Sequence, residues 1–287
     1  MTRSNSAYVY TFLSVFLWSF IPVVSSLGGK SLGVEQFLLI SNYLSTLSVL
    51  PFVKFKEFDL SFKSLLFSAV LSFLGIFGYY LLLYYAYFYS TNPTGILVIQ
   101  YLWPLFIALF SLFLMGEKLG FRTVLALVSG FLSAFLVITK GNFTLPSSSE
   151  LKSLSLAFLA SVCFGLYSVL SKKRDSKHPA NDIFIYFLIA SIFSTLLFLL
   201  NNESLHVSQE EYIYLLINGV LINGISYLFW IWALKASKAS KLSVYALATP
   251  LFSIVWIHLF LNEPVRLIYL LALLLSLISG FLAMEKK

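Results

Sequence analysis

Long apolar stretches alternate along this chain with short polar segments in which nearly all the charges collect. The stretches fall at 7–28, 35–53, 64–88, 94–115, 121–139, 154–171, 183–200, 212–234, 242–261 and 266–284. Each is close to the length of about 20 residues with which an α-helix, rising 1.5 Å per residue, crosses a hydrocarbon core about 30 Å thick. Numbered spans 1 to 10, they predict an all-α integral membrane protein with ten transmembrane helices. The longest connections, 54–63, 140–153 and 172–182, leave no room for a further domain. Span 1 reads as a span and not as a cleaved leader, because its apolar stretch is long and has a counterpart later in the chain. Composition agrees: 59% of residues are hydrophobic and 11% charged, where soluble domains carry about 25% charged residues.

The loop charges set the orientation. Arg3, Lys54, Lys56, Lys63, Lys118, Arg122, Lys172, Lys173, Arg174, Lys177, Lys235, Lys238, Lys241, Lys286 and Lys287 fall on the side of the amino terminus, against Lys30, Lys140, Lys152 and Arg266 on the other. The positive-inside rule then places both termini in the cytoplasm. The formal net charge of +7 belongs to this bias, so nucleic acid is not expected as a partner. The single cysteine, Cys163, lies in an apolar run, forms no intrachain disulfide and reads as a small buried side chain.

The second half repeats the first. "PLFIALFSLFLMGE" at 104–117 matches "PLFSIVWIHLFLNE" at 250–263, an offset of 146. Ala126, Gly130 and Ala134 in span 5 match Ala272, Ser276 and Gly280 in span 10 at the same offset, and Tyr80-x5-Ala86 matches Tyr227-x5-Ala233 with a slip of one. The expected organisation is a first five-helix repeat at 1–140, a linker at 141–153 and a second five-helix repeat at 154–287. Five spans is an odd number, so the repeats face opposite ways across the membrane, as in secondary transporters with a site at the midplane. The small residues of spans 5 and 10 are close-packing faces, either for each other or for a second copy.

Within span 4, Gln100 and Pro104 are costly in lipid: an unpaired amide costs roughly 2–7 kcal/mol, and a proline breaks the backbone ladder. A cavity explains both. Pro104 and its twin Pro250 are expected to kink spans 4 and 9 and act as hinges, with Gln100 one turn earlier facing the opening; a plain structural kink accounts for the prolines alone. No Asp, Glu, Lys or Arg lies in the core of any span, so no proton relay is visible. His258 is an intramembrane candidate for coupling or an interfacial histidine, and Glu117 and Glu263 read as caps or loop ion pairs. His178, His206 and His258 have no metal-ligand spacing, no Gly-rich phosphate loop follows a strand, and no nucleophile carries a base signature. Neither an enzyme nor a cofactor or metal site is expected.

"LWS" at 17–19, "QYLWP" at 100–104, "GEK" at 116–118 and Tyr227-x-x-Trp230 resemble the drug/metabolite transporter superfamily in its EamA-type ten-helix branch, and within it the aromatic amino acid exporters of bacterial inner membranes. Tyr101-Leu102-Trp103-Pro104 is the most specific of these motifs. Glutamine stands at position 100 where those exporters more often have asparagine. The resemblance implies a central cavity between spans 1, 3, 4, 6, 8 and 9, with spans 2, 5, 7 and 10 outside. The residues that fit such a wall are Trp18, Tyr80, Tyr84, Gln100, Tyr101, Trp103, Tyr167, Asn223, Tyr227, Trp230 and Tyr245; for the aromatic residues core packing is the competing account, and for Gln100 and Asn223 helix-to-helix bonding. Asn42, on an outer span, is expected to join helices. The implied function is export of aromatic or other amino acids and related metabolites by alternating access. A carrier of another metabolite or drug, and a non-transporting membrane enzyme or sensor, are the alternatives. The implied partners are a small-molecule substrate and the lipid bilayer, with the chain a monomer or homodimer, multi-pass in the inner (plasma) membrane.

Overall fold

The structure, a computed structural model, describes residues 3–115, 120–139, 147–172, 174, 178–201, 204–236 and 248–283. Among these residues all regular structure is helical. Span 1 is two helices, Arg3–Trp18 and Ile21–Leu32, parted at Ser19 and Phe20. Gly33, at φ 81°, reverses the chain into span 2, Val34–Val49; a left-handed residue is cheap only where Cβ is absent. Span 3 runs through Phe62–Ser72, a π turn at Phe73–Phe77, and Gly78–Tyr89. Span 4 is again two helices, Pro93–Gln100 and Trp103–Met115. Spans 5, 6 and 7 are Phe121–Thr139, Ser148–Lys172 and Pro179–Leu200. Span 8 joins Tyr212–Leu215, a π helix at Leu216–Ile225 and Ser226–Ala236. Spans 9 and 10 are Thr249–Leu261 and Leu267–Ala283.

Five of these rods are long and apolar enough to cross a membrane as they stand: Ser6–Leu32, Phe62–Tyr89, Ser148–Ser171, Pro179–Leu200 and Gln209–Ala233. The other rods include the broken span 4 and span 9, whose expected first residues lie outside the described ones. The break in span 4 has a local cause. Pro104 has no N–H to give the Gln100 carbonyl one turn back, and it sits in the first turn of the new helix, where a missing donor costs nothing. Leu102 N–H therefore turns to Ile99 O at 3.1 Å, tightening the last turn. Pro22 does the same to span 1: it cannot reach the Trp18 carbonyl, and Phe20 N–H bonds Leu17 O at 3.2 Å.

Packing is two-fold. Span 3 lies on span 6 as span 8 lies on span 1; span 2 meets span 8 as span 7 meets span 3; span 4 meets span 6 as span 9 meets span 1. Spans 2 and 7 pair with each other, and so do spans 5 and 10. At the last pair Ser133 Oγ donates to Ala272 O at 2.7 Å, and Ser279 Oγ donates to Ala126 O at 2.7 Å. Each bond is the image of the other at the offset of 146. The small residues of spans 5 and 10 thus face one another within one chain. Asn42 Nδ2 donates to Ser194 Oγ at 2.8 Å across spans 2 and 7, the helix-joining role expected of it.

The connections sort to two ends. At one, Asn181 pairs with the Lys54 backbone through two 2.9 Å bonds. There too Arg174 reaches Asp182 at 2.8 Å and Ser68 Oγ at 2.8 Å. At the other, Gln36 Nε2 donates to Ser204 O at 2.8 Å, and the Lys152 ammonium lies 3.7 Å from the centre of the Tyr89 ring.

Candidate functional site

Between the two ends, spans 1, 3, 4, 6, 8 and 9 enclose a small cavity of about 40 Å³ lined by Trp18, Ile21, Tyr79, Tyr80, Gln100, Tyr101, Trp103, Phe164, Tyr227 and Thr249. Room for a water starts at about 10–15 Å³, while drug-sized ligands occupy sites of roughly 300–1,000 Å³. As it stands the cavity has room for a few waters and not for a drug-sized ligand.

Both helix breaks sit on its wall. Helices Arg3–Trp18 and Pro93–Gln100 end at wall residues, and Ile21–Leu32, Trp103–Met115 and Thr249–Leu261 begin at wall residues. Two serines cap carbonyls at the breaks: Ser253 Oγ donates to Ser19 O at 2.9 Å, and Ser276 Oγ donates to Tyr101 O at 3.1 Å.

The polar atoms are largely committed to each other. Gln100 Nε2 donates to Tyr79 OH at 2.8 Å and Gln100 Oε1 accepts from Tyr87 OH at 3.1 Å. The extra methylene of glutamine lets one amide bridge two tyrosines of span 3. Tyr80 OH and Tyr227 OH, 3.3 Å apart, are near-images in the two repeats and so lie at the pseudo-two-fold axis. Trp18 Nε1, itself out of contact with solvent, has no hydrogen-bond partner among the described residues. The Trp18 ring meets Tyr227 edge-on at 5.9 Å, and Phe164 bridges Tyr79 at 4.9 Å and Trp103 at 5.4 Å. Among the described residues no charged side chain lines this wall.

Of the residues singled out in the sequence, Trp18, Tyr80, Gln100, Tyr101, Trp103 and Tyr227 meet at the cavity. Trp230 stands one step behind, packed on Trp18 at 5.3 Å, and Tyr167 stands behind Phe164 at 5.7 Å. Tyr84 and Asn223 are not brought to the wall. Tyr84 is fully buried, and its hydroxyl accepts from Asn218 Nδ2 at 2.6 Å and Asn223 Nδ2 at 3.2 Å. The α-helical spacing that put Asn223 on a face with Tyr227 and Trp230 fails because Leu216–Ile225 winds as a π helix, which turns less per residue. Pro250 is buried in the first turn of span 9. Tyr245, Glu117 and Lys118 lie outside the described residues. Tyr79 and Phe164, ring-bearing residues of the expected cavity spans 3 and 6, stand on the wall as well; Ile21 and Thr249 were not expected there, and Pro22, which breaks span 1 as Pro104 breaks span 4, was the available signal for the first.

The ionisable groups sit at the ends. Glu263 Oε2 accepts from Thr94 N–H at 3.1 Å, capping the helix Pro93–Gln100 from the other repeat. Burial raises the Glu263 carboxyl above the ordinary carboxylate range, against the opposing pull of Thr94 and Arg266. His258 is exposed, with Nδ1 3.0 Å from Glu263 O, so it is remote from the cavity.

Residues 5–139 and 151–284 each match the family described as EamA-like transporter family. The chain belongs to that family. Similar curated proteins include the uncharacterized transporter YoaV of Bacillus subtilis, 26% identical over 74% of this chain and 72% of that one. The aromatic amino acid exporter YddG of Ancylobacter novellus is 28% identical over 62% of each chain. A crystal structure of a protein 20% identical superposes with a TM-score of 0.68, covering 97% of this chain and 96% of that one; at that identity the likeness speaks for the fold alone. This transporter is therefore a multi-pass membrane protein that moves a small molecule, and its family and relatives are carriers, not enzymes.

Proposed function

We propose that the transporter exports aromatic or other amino acids, or closely related metabolites, by alternating access across the inner membrane of a bacterium, with both termini in the cytoplasm. The observation that carries this reading is the cavity itself: ring faces and one amide at the junction of two inverted repeats. Flat rings on the wall suit a flat apolar side chain, with affinity from stacking and area burial. The distant relationship to an exporter of aromatic amino acids agrees with it, and the excess of Lys and Arg in the loops on the side of the termini supports the orientation.

The test is uptake of radiolabelled phenylalanine into proteoliposomes by the wild type, Trp103→Ala and Gln100→Ala. The expected result is saturable uptake that falls by at least about tenfold in both variants while both stay folded, since each loses a wall contact of about 1.4 kcal/mol or more. Uptake no greater than into empty liposomes removes aromatic amino acids from the proposal.

A further inference from the structure

A second polar layer lies one helical turn from the cavity, toward the end that carries Gln36 and Ser204. Spans 1 and 3 run toward that end and span 8 runs away from it. Four residues on from the wall residues Ile21 and Tyr80, and on the same helix faces, stand Ser25 and Tyr84; four before Tyr227 stands Asn223. The helix Ile21–Leu32 packs on both Gly78–Tyr89 and Leu216–Ile225. Asn218 belongs to the same layer, because its Nδ2 and that of Asn223 both donate to Tyr84 OH, at 2.6 and 3.2 Å. In an α-helix residues five apart point about 140° away from each other. The π winding of Leu216–Ile225 turns less per residue and brings both amides to one hydroxyl, and such windings collect at functional sites.

What this layer lacks is partners for its oxygens. Asn218 Oδ1, Asn223 Oδ1 and Ser25 Oγ have no hydrogen-bond partner among the described residues, and all three residues are 0% exposed. Exchanging O and N within the amides does not remove the surplus. A phenol has one proton, so at least one of the two amides must give Tyr84 an N–H and keep its oxygen unpaired. Nor do the groups answer one another, since no hydrogen bond joins Ser25 to either amide. One unpartnered polar group in a dry site is costly; a set of them in one layer calls for an occupant. Neutral oxygens can replace the water shell of a monovalent cation, and irregular stretches of transporter helices are where coupling sodium ions are held. A divalent ion is held by carboxylates, and spans 1, 3 and 8 contain none.

We propose that Asn218, Asn223 and Ser25 hold a sodium ion, bound without its water shell one turn from the cavity. Tyr84 is the strut that turns the two amides. Bound there, the ion joins span 1 to span 8, and so one repeat to the other. This goes beyond the reading above, which names no coupling ion, and it does not depend on the substrate.

The test is thermal unfolding of the purified full-length protein in choline chloride, with NaCl or KCl exchanged in at constant ionic strength. NaCl is expected to raise the unfolding temperature by several degrees, saturably, as binding to the folded form requires, and KCl to be weaker at every concentration. Because Ser25 Oγ has no partner, Ser25→Ala should unfold in choline chloride no earlier than the wild type. It should also raise the NaCl needed for half the effect by about tenfold, the scale of one polar contact to a charge. Asn223→Ala should abolish the NaCl effect; if it fails to fold, Ser25→Ala decides alone. No saturable effect of NaCl, or one that KCl equals, overturns the inference and leaves water on these oxygens. So does a NaCl effect undiminished in Ser25→Ala. No substrate enters the measurement, so its failure leaves the exporter reading intact, and liposomes that take up no phenylalanine leave the sodium site intact.

Discussion

Tyr84 and Tyr80 sit four residues apart on one helix, both buried, and have different partners. Tyr84 OH collects two amide N–H groups from span 8, whereas Tyr80 OH meets its counterpart Tyr227 on the cavity wall. Removing the Tyr84 hydroxyl leaves the Asn223 amide N–H without its acceptor in a dry site, which costs about 1–3 kcal/mol. Tyr84→Phe is therefore expected to lower the unfolding temperature in detergent with the KM for substrate unchanged, read by thermal denaturation and uptake kinetics. A raised KM with unchanged stability would move Tyr84 to the wall. The sequence showed which residues are polar or aromatic within the membrane, but not their direction. Direction depends on helix phase, and one π turn re-aims every residue beyond it.

At the scale of elements, the π windings of spans 3 and 8, Phe73–Phe77 and Leu216–Ile225, are places where neighbours come unusually near. A Cβ at Gly219 would lie 2.7 Å from Leu44 Cβ and 2.9 Å from the Ser41 carbonyl oxygen of span 2. Backbone cannot swing aside as a side-chain tip can. Gly219→Ala should part spans 2 and 8 and cost about 1–3 kcal/mol, the usual price of overpacking, seen as a lower unfolding temperature. An unchanged temperature would mean that the two spans slide freely. The existence of these helices was legible from the length of the apolar runs. The breaks were half legible: Pro104 drew attention through Gln100 beside it, while Pro22, among apolar neighbours, did not. What neither showed is that the helix stops ahead of the proline and restarts, so that the wall gains helix starts in place of a bend.

For the whole molecule, the offset of 146 carried most of the architecture, because a repeat that copies its small residues copies its contacts. Ser133 and Ser279 are the clearest case. Being images, Ser133→Ala and Ser279→Ala should lower stability equally, each by about 0.5–1.5 kcal/mol. A large effect from one and none from the other would show that the symmetry is only in the fold. Symmetry is lost at the cavity, where span 1 breaks at Ser19 and Phe20 while span 6 runs unbroken through Ser148–Lys172. That difference was not legible, since Pro22 has Ser168 as its counterpart and a missing proline leaves no mark in an apolar run.

Tyr80 and Tyr227 carry the same group to one point from opposite repeats, 3.3 Å apart. One hydroxyl donates, the other accepts, and the spare proton faces elsewhere. Exchanging those parts takes two turns about C–O bonds and moves no heavy atom. The contact therefore reads the same from either repeat, whichever of the two hydroxyls donates, and its bond survives an exchange of roles between the halves.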